Sequence, residues 1–229
     1  MAKIKHIYRL ENFEFDNLKD AERFNEYLNI FGKLQLKELY SGYKNGVDYT
    51  IYAKSEYNEK QMREIRYGLE SKIDVSMYAK PEFNEDQMEQ IRSGLESKLD
   101  VRFYANAEFN FHQMRQIIYG LIEGLDVSIY SKPEFDWVQM KMLRLGLEKG
   151  LDVTVYANPE LNYLQMEQIR LGLEKGLDVS LYATDEFGWE QMLEIRFGLE
   201  DGLDVSSYSN PTIDWKEMRK IRKELESKK

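Results

Sequence analysis

Apolar residues recur along most of this chain in a pattern with a period of 26 residues. Counted from a Gln-Met pair, apolar residues follow the methionine at positions +3 and +7, as between Met166 and Leu173. This spacing is typical of one face of an amphipathic helix. The period separates successive methionines from Met62 to Met218, and Leu36 stands one period earlier. The chain therefore contains eight repeats, of which the last ends after its helix.

Signals for the start and the end of a helix stand at fixed places in each repeat. Asn84 can accept hydrogen bonds from free backbone N–H groups while Gln87 reaches back to the cap, which is a capping-box pattern. Phe83 and Met88 have the spacing of a hydrophobic staple around that cap. Glycines at the far end, such as Gly150, fit the C′ position. These signals predict a helix of about twelve or thirteen residues in each repeat.

The second half of each repeat, for example LDVSLYA at 177–183, has two interpretations. Its β-branched residues permit a strand, which would give an α/β horseshoe. The recurring aspartate, here Asp178, instead fits the N-cap of a short helix, with Leu177 and Tyr182 at staple spacing. We favour the short helix, because a strand leaves the aspartate without a role. The predicted fold is an all-α solenoid of eight tandem helix–short-helix repeats.

Residues 1–30 lie outside the period. The segment 4–15 permits a strand or a loop, and the segment after it predicts a helix from Asp16. Because the first unit of a solenoid must be covered, residues 1–30 are predicted to form an N-terminal cap. Residues 31–229 form the predicted repeat solenoid, with a polar C-terminal helix that closes the stack.

One repeat departs from a pattern that six others share. Those six carry an Arg–Glu pair at +4 and +8, whereas the exception has Ile118 and Ile122. The joint replacement indicates a pair in a partly buried seam between repeats, since losing both members of a buried ion pair is often tolerated. Contact of the two isoleucines with a partner is the alternative. Glycine at +6, for example Gly172, is expected to let the neighbouring helix approach closely.

Composition and charge narrow the classes of function. The formal net charge is −9, which argues against nucleic acid as the partner and favours a protein with a basic surface. The chain has no cysteine, which excludes disulfides and thiol chemistry. It has no apolar run typical of a signal peptide or a transmembrane helix. We therefore expect a cytoplasmic protein that does not contact membranes.

Motifs for catalysis and for cofactors are absent from the sequence: there is no glycine-rich phosphate loop, nucleophile elbow or paired-histidine metal motif. The recurring aspartates are expected to be N-caps rather than metal ligands, because neighbouring helices lie about 8–10 Å apart. The recurring tyrosines are expected in the core with their hydroxyl groups hydrogen-bonded. The sequence predicts a protein that is not an enzyme, with no catalytic residue, no cofactor and no bound metal.

The helix face opposite the core stripe becomes apolar in the middle repeats. At about 100° per residue, positions −2, +2 and +5 are expected on this face, and a contiguous exposed apolar surface usually marks an interface. Coverage by a chain terminus is the alternative. Aromatic residues also recur at −3, where they form either a recognition ladder or packing over the preceding turn. The candidate partner-binding residues are Tyr119, Val138, Met142, Leu145, Leu164, Leu171, Leu193, Phe197, and, at −3, Trp137, Trp189 and Trp215.

The phrase QMEQIRLGLEKGLDVSLYA, residues 165–183, resembles tandem repeats in proteins carried by bacterial phages and mobile elements, and the resemblance covers residues 31–226. It implies a context, because such elements often carry inhibitors of host defence, including anti-CRISPR proteins. The leading hypothesis is a non-enzymatic protein-binding solenoid that docks on a basic host protein, such as an RNA-guided nuclease, and blocks its nucleic-acid channel. The alternatives are a self-associating structural protein, including a homodimer, and RNA or DNA binding through the aromatic ladder.

Overall fold

The computed structural model describes residues 8–10 and 12–229, which belong to two compact units, Met1–Ala107 and Glu108–Lys229. The first unit contains strands β1 (Tyr8–Leu10) and β2 (Phe13–Phe15) and helices α1 (Leu18–Tyr27), α2 (Lys33–Asn45), α3 (Glu59–Glu70) and α4 (Glu85–Glu96). The second contains α5 (Phe111–Ile122), α6 (Trp137–Glu148), α7 (Tyr163–Glu174), α8 (Trp189–Glu200) and α9 (Trp215–Glu226).

Helices α2 to α9 are the long helices of the eight repeats, and consecutive ones pack together within each unit. Each has twelve residues except α2, which has thirteen, as the sequence predicts. A single turn of 3₁₀ helix follows each of α2 to α8. These turns are Tyr49–Ile51, Val75–Met77, Val101–Phe103, Val127–Ile129, Val153–Val155, Val179–Leu181 and Val205–Ser207. The chain is thus an all-α tandem-repeat solenoid, and the α/β horseshoe is wrong.

The predicted caps are present at both ends of the long helices. In α4, the side chain of Asn84 accepts from the backbone N–H of Gln87 at 2.9 Å, and the Gln87 side chain accepts from the N–H of Asn84 at 2.8 Å. The glutamine has a second role that the sequence did not indicate. In α5, Gln113 Nε2 donates to the backbone carbonyl of Phe135 at 2.7 Å, which ties the helix start to the segment after the next turn, and the glutamines of α2, α3, α6, α7 and α8 make the same bond. At the far end, Gly150 has a φ of +70°, the left-handed conformation expected at C′.

The recurring aspartates are N-caps of the 3₁₀ turns, as predicted. Asp178 accepts from the backbone N–H of Ser180 at 3.1 Å. The same arrangement in another repeat, with the backbone N–H of Ser76 as the main donor, lowers the pKa of Asp74. A strand would leave this carboxylate unbonded, and the turn also buries the valine that follows each aspartate, which explains why β-branched residues suit the segment.

The recurring tyrosines are fully buried, and burial raises the pKa of Tyr208 to about 12. Their hydroxyl groups point at the glycine of the same repeat: a Cβ placed on Gly172 would lie 2.0 Å from the Tyr182 hydroxyl. The expectation that this glycine admits a neighbouring helix was therefore wrong. That space is filled by the tyrosine at the end of the 3₁₀ turn, which packs against the long helix of its own repeat.

The N-terminal residues pack on the first repeat. Strands β1 and β2 form an antiparallel hairpin, and helix α1 begins after its N-cap Asn17, one residue beyond the predicted Asp16. The ring of Phe24 lies 5.4 Å from that of Tyr49, and the backbone N–H of Asp16 donates to the Tyr43 hydroxyl at 2.7 Å. Of the segment 4–15, residues 4–7 and 11 lie outside the described residues. The role of residues 1–30 as a cap stays a prediction.

Candidate functional site

The helix face that the repeats leave exposed is defined by positions −2, +1 and +5. It differs from the predicted face, −2, +2 and +5, because position +2 is buried or half-buried in every long helix from α2 to α8, whereas Lys220, at +2 of α9, is exposed. In the second unit, position +5 holds Tyr119, Leu145, Leu171 and Phe197 in helices α5 to α8. Tyr119 is 37% exposed and the other three are partly exposed. We call this face of α5 to α9 the outer face.

In five of the seven helices from α2 to α8, the side chain at position +2 accepts a hydrogen bond from an arginine of the next repeat. Within the second unit, Arg196 Nε donates to Gln168 Oε1 at 3.0 Å, and Arg222 Nε donates to Glu194 Oε2 at 2.8 Å. The same bond joins repeats of the first unit, where Arg66 contacts Glu38 at 3.0 Å. We call this bond, from arginine +4 to the side chain at +2 of the preceding repeat, the joint.

The predicted pairs between +4 and +8 are also present. All six arginines form an ion pair with the glutamate four residues later on the same helix. The arginine side chains are mostly enclosed while the glutamates are more exposed, so the pairs are partly buried, as the sequence indicated. The sequence did not indicate that five of these six arginines also form joints.

Met142, at position +2 of α6, was predicted as a partner-binding residue, and this prediction is wrong. Only 8% of Met142 is exposed, so it does not lie on the outer face. Its thioether cannot replace the carboxylate or amide acceptor found at other joints. As a result, Arg170 Nε in the next repeat is one of the two buried polar side-chain atoms without a hydrogen-bond partner among the described residues.

The remaining predicted residues lie on or beside the outer face. Val138 and Leu164 occupy position −2 of α6 and α7, and Leu193 occupies +1 of α8, all partly exposed. Arginine side chains border the rings: the guanidinium of Arg144 lies 5.5 Å from the Tyr119 ring centre, and that of Arg222 lies 5.4 Å from that of Phe197. These contacts orient the rings without covering them.

The aromatic row at −3 borders the outer face at the helix starts. Trp137 is 42% exposed, while Trp189 and Trp215 are partly exposed. Trp137 lies 5.6 Å from the ring of His112, and in the described part of the second unit the ring contacts go no further along the row. The rings of Phe111 and Trp137, at −3 of α5 and α6, therefore both contact the ring of His112, and from α7 to α9 the row is a set of separate rings. Tyr163, also at −3 and 45% exposed, belongs to it although it was not among the predicted site residues.

The exception to the Arg–Glu pattern adds an exposed apolar residue. Ile122 is 64% exposed, so burial in a seam does not explain the exchange of glutamate for isoleucine at that position. Ile118 is partly exposed. With Tyr119 on the same helix, Ile122 extends the apolar surface of α5. The replacement of the usual glutamate at +8 by isoleucine was the signal in the sequence that could have placed Ile122 in the site.

Charge is distributed unevenly over the second unit. The segments between its long helices, 123–136, 149–162, 175–188 and 201–214, contain twelve carboxylates and three lysines. The outer-face positions of α5 to α9, by contrast, hold five cations and two carboxylates, which are Arg115, Lys141, Lys216, Arg219 and Lys223 against Glu167 and Glu190. Ion pairs such as Lys149–Glu174, at 2.6 Å, neutralise the border of this face. The acidic surplus thus lies on the turn segments and not on the apolar face.

These observations define the class of the protein: an all-α tandem-repeat protein with an exposed apolar face on its second unit. No known protein family, no characterised protein and no solved structure matches the chain. None of the helices in the described part has the length and apolar character that crossing a bilayer requires. The same part contains no group of three or more side chains placed to hold a metal ion.

Proposed function

We propose that this chain is a protein-binding repeat module and that its second unit docks a partner through the outer face. The observation that supports the proposal is the second apolar stripe on helices that already have one. Met166 and Ile169 of α7 are fully buried in the core, yet Leu164 and Leu171 of the same helix are left partly exposed to solvent. A helix of a soluble array needs a polar outer side, so apolar residues there indicate an interface.

The aromatic residues favour binding of protein over other roles. Trp137, Tyr163 and Tyr119 present large, rigid rings at the border of the aliphatic residues. Tryptophan, tyrosine and arginine are the residues that most often dominate binding energy, and they do so where surrounding contacts exclude water. The first unit lacks this arrangement on α4, where the corresponding positions hold Asp86, Glu89 and Ser93.

The test is a capture experiment with two pairs of substitutions. The double variant Leu145→Asp/Leu171→Asp places charges at +5 of α6 and α7, and we expect it to lose at least tenfold in affinity for a captured partner, because each charge must be desolvated. The matched control is Tyr67→Asp/Ser93→Asp, the same position in α3 and α4, which should bind as the unchanged protein does. Equal binding by both variants, with unchanged circular dichroism, contradicts the proposal.

The predicted partner with a basic surface, such as a nucleic-acid-guided nuclease, stays a prediction. Because the carboxylates lie on the turn segments, a basic partner would be attracted to that side, where Val155 and Leu181 are exposed. Self-association is the competing use of the outer face. Sedimentation over a hundredfold range of concentration separates the two, since a monomer at every concentration excludes self-association.

A further inference from the structure

Four cationic side chains lie together on the outer side of α9. Lys216, Arg219, Lys220 and Lys223 are exposed and line an open depression of about 400 Å³. Among the residues that the structure describes, Glu224 is the one carboxylate that lines it with them. In a protein with a net charge of −9, this cluster is a local reversal of sign. We call these four residues the α9 cluster.

Carboxylates near the α9 cluster neutralise it only in part. Glu217 lies 3.4 Å from Lys220, but both side chains are more than half exposed, and such pairs contribute little. Glu194 lies 3.7 Å from Arg219, yet its closer contact is the joint with Arg222 at 2.8 Å. A net positive charge therefore remains on this side of the helix.

Two residues of the α9 cluster occupy the same helix positions, −2 and +5, that are apolar in the preceding repeats of the outer face. Along position +5, the side chains of α6, α7 and α8 are Leu145, Leu171 and Phe197, and α9 then presents Lys223. Helix α8 packs directly on α9, so the cluster stands at the end of the apolar surface. Position −2 also ends on a cation, but less directly: Val138 and Leu164 are followed by Glu190 in α8 and then by Lys216 in α9.

We infer that the partner segment carries apolar side chains followed by a group of carboxylates, with the carboxylates over the α9 cluster. The inference rests on the proposed docking at the outer face. A segment of the opposite charge pattern would bring cations against cations at α9, which disfavours binding. Neighbouring helices are about 8–10 Å apart, so the path from α6 to α9 is roughly 27 Å, or about 18 residues of a bound helix. The negative end of such a helix dipole is its C-terminus, which would add to the attraction.

The probe is a displayed library of random 18-residue peptides, selected against the full chain. We expect the enriched peptides to carry Asp or Glu next to, and mostly after, an apolar stretch. Selection against Lys216→Glu/Lys220→Glu/Lys223→Glu should instead enrich Lys or Arg there. The control is Lys54→Glu/Lys80→Glu/Lys132→Glu, which makes the same change in net charge at exposed lysines of the turn segments, and it should select the same peptides as the unchanged chain.

Affinities of one enriched peptide then separate the two proposals. We expect at least tenfold weaker binding by the α9 variant at low salt, and a smaller difference at 1 M salt, because screening weakens interactions between exposed charges. If Leu145→Asp/Leu171→Asp abolishes binding while the α9 variant binds normally, the inference is wrong and the docking face stands. If that double variant binds normally, the docking face is wrong. Failure to enrich any peptide contradicts both.

Nucleic acid is the competing ligand for the α9 cluster. A single-stranded oligonucleotide that binds the unchanged chain, is lost in the α9 variant and is retained by Leu145→Asp/Leu171→Asp would overturn the inference. We expect no such binding, because the carboxylates of the turn segments repel a polyanion.

Discussion

Among single residues, the glycine at +6 and the tyrosine of the following turn pack against each other in the first seven repeats. The Tyr78 hydroxyl donates to the backbone carbonyl of Glu64 at 3.1 Å, and it occupies the space that a Cβ on Gly68 would need. The glycine is required for this close approach and not for an unusual backbone angle, since it lies inside a helix. Tyr104 is the exception, because its hydroxyl has no hydrogen-bond partner among the described residues.

We predict that Gly94→Ala destabilises the chain by about 2 kcal/mol or more, since its Cβ would lie 1.7 Å from the Tyr104 hydroxyl. Tyr104→Phe removes that oxygen and loses no hydrogen bond, so it should cost little by itself. The double variant should therefore recover part of the loss. Denaturant unfolding measures all three free energies, and strictly additive effects would contradict the proposed clash.

Among elements, the joint sets how one repeat docks on the next. An arginine at +4 requires an acceptor at +2 of the preceding helix, and Glu38, Gln116, Gln168 and Glu194 supply it. Helix α6 supplies Met142 instead. A buried donor without a partner costs about 1–3 kcal/mol, so the joint between α6 and α7 is expected to be the weak one in the second unit.

We predict that Met142→Gln stabilises the chain by about 1 kcal/mol, because glutamine has a similar volume and offers Arg170 an acceptor. The control is Met142→Leu, which keeps the site apolar and should give no gain. Thermal and denaturant unfolding report the difference. A glutamine variant that is less stable than the leucine variant would show that Arg170 is not short of an acceptor.

The elements could be predicted from the sequence because caps, staples and glycine stops are local signals. The joint could not, because it links residues 28 positions apart, and the 26-residue period alone does not show which flank of a helix meets its neighbour. Because the joint was not predicted, Met142 was wrongly placed on the exposed face: on an isolated helix, position +2 lies on the side away from the core stripe. The outer face was otherwise predictable, since helix periodicity places Leu145, Leu164 and Leu171 away from the core.

For the whole molecule, repetition means that a repeat can be removed without exposing a new core, provided that the new joint has both members. Deleting 133–158 removes α6 and brings Gln116 opposite Arg170. Deleting 159–184 removes α7 and leaves Met142 opposite Arg196. The two products have equal length, so the joint is the main designed difference between them.

We predict that both products fold and that each is less stable than the full chain, since stability of such arrays adds up by repeat and by contact between neighbours. The product without 133–158 should be more stable than the product without 159–184 by about 1 kcal/mol, because it contains no unmatched joint. Denaturant unfolding compares them. A deletion of 13 residues, half a period, should prevent folding.

The joint also has a consequence for how such a protein changes over generations. A joint needs only two side chains, an arginine at +4 and an acceptor at +2 of the preceding repeat. Duplication or loss of a 26-codon block therefore gives two repeats that can pack together wherever that acceptor is glutamate or glutamine. The length of the apolar surface can then change in steps of one helix, while the α9 cluster at its end stays the same. A lineage could in this way fit longer or shorter targets without inventing a new binding residue.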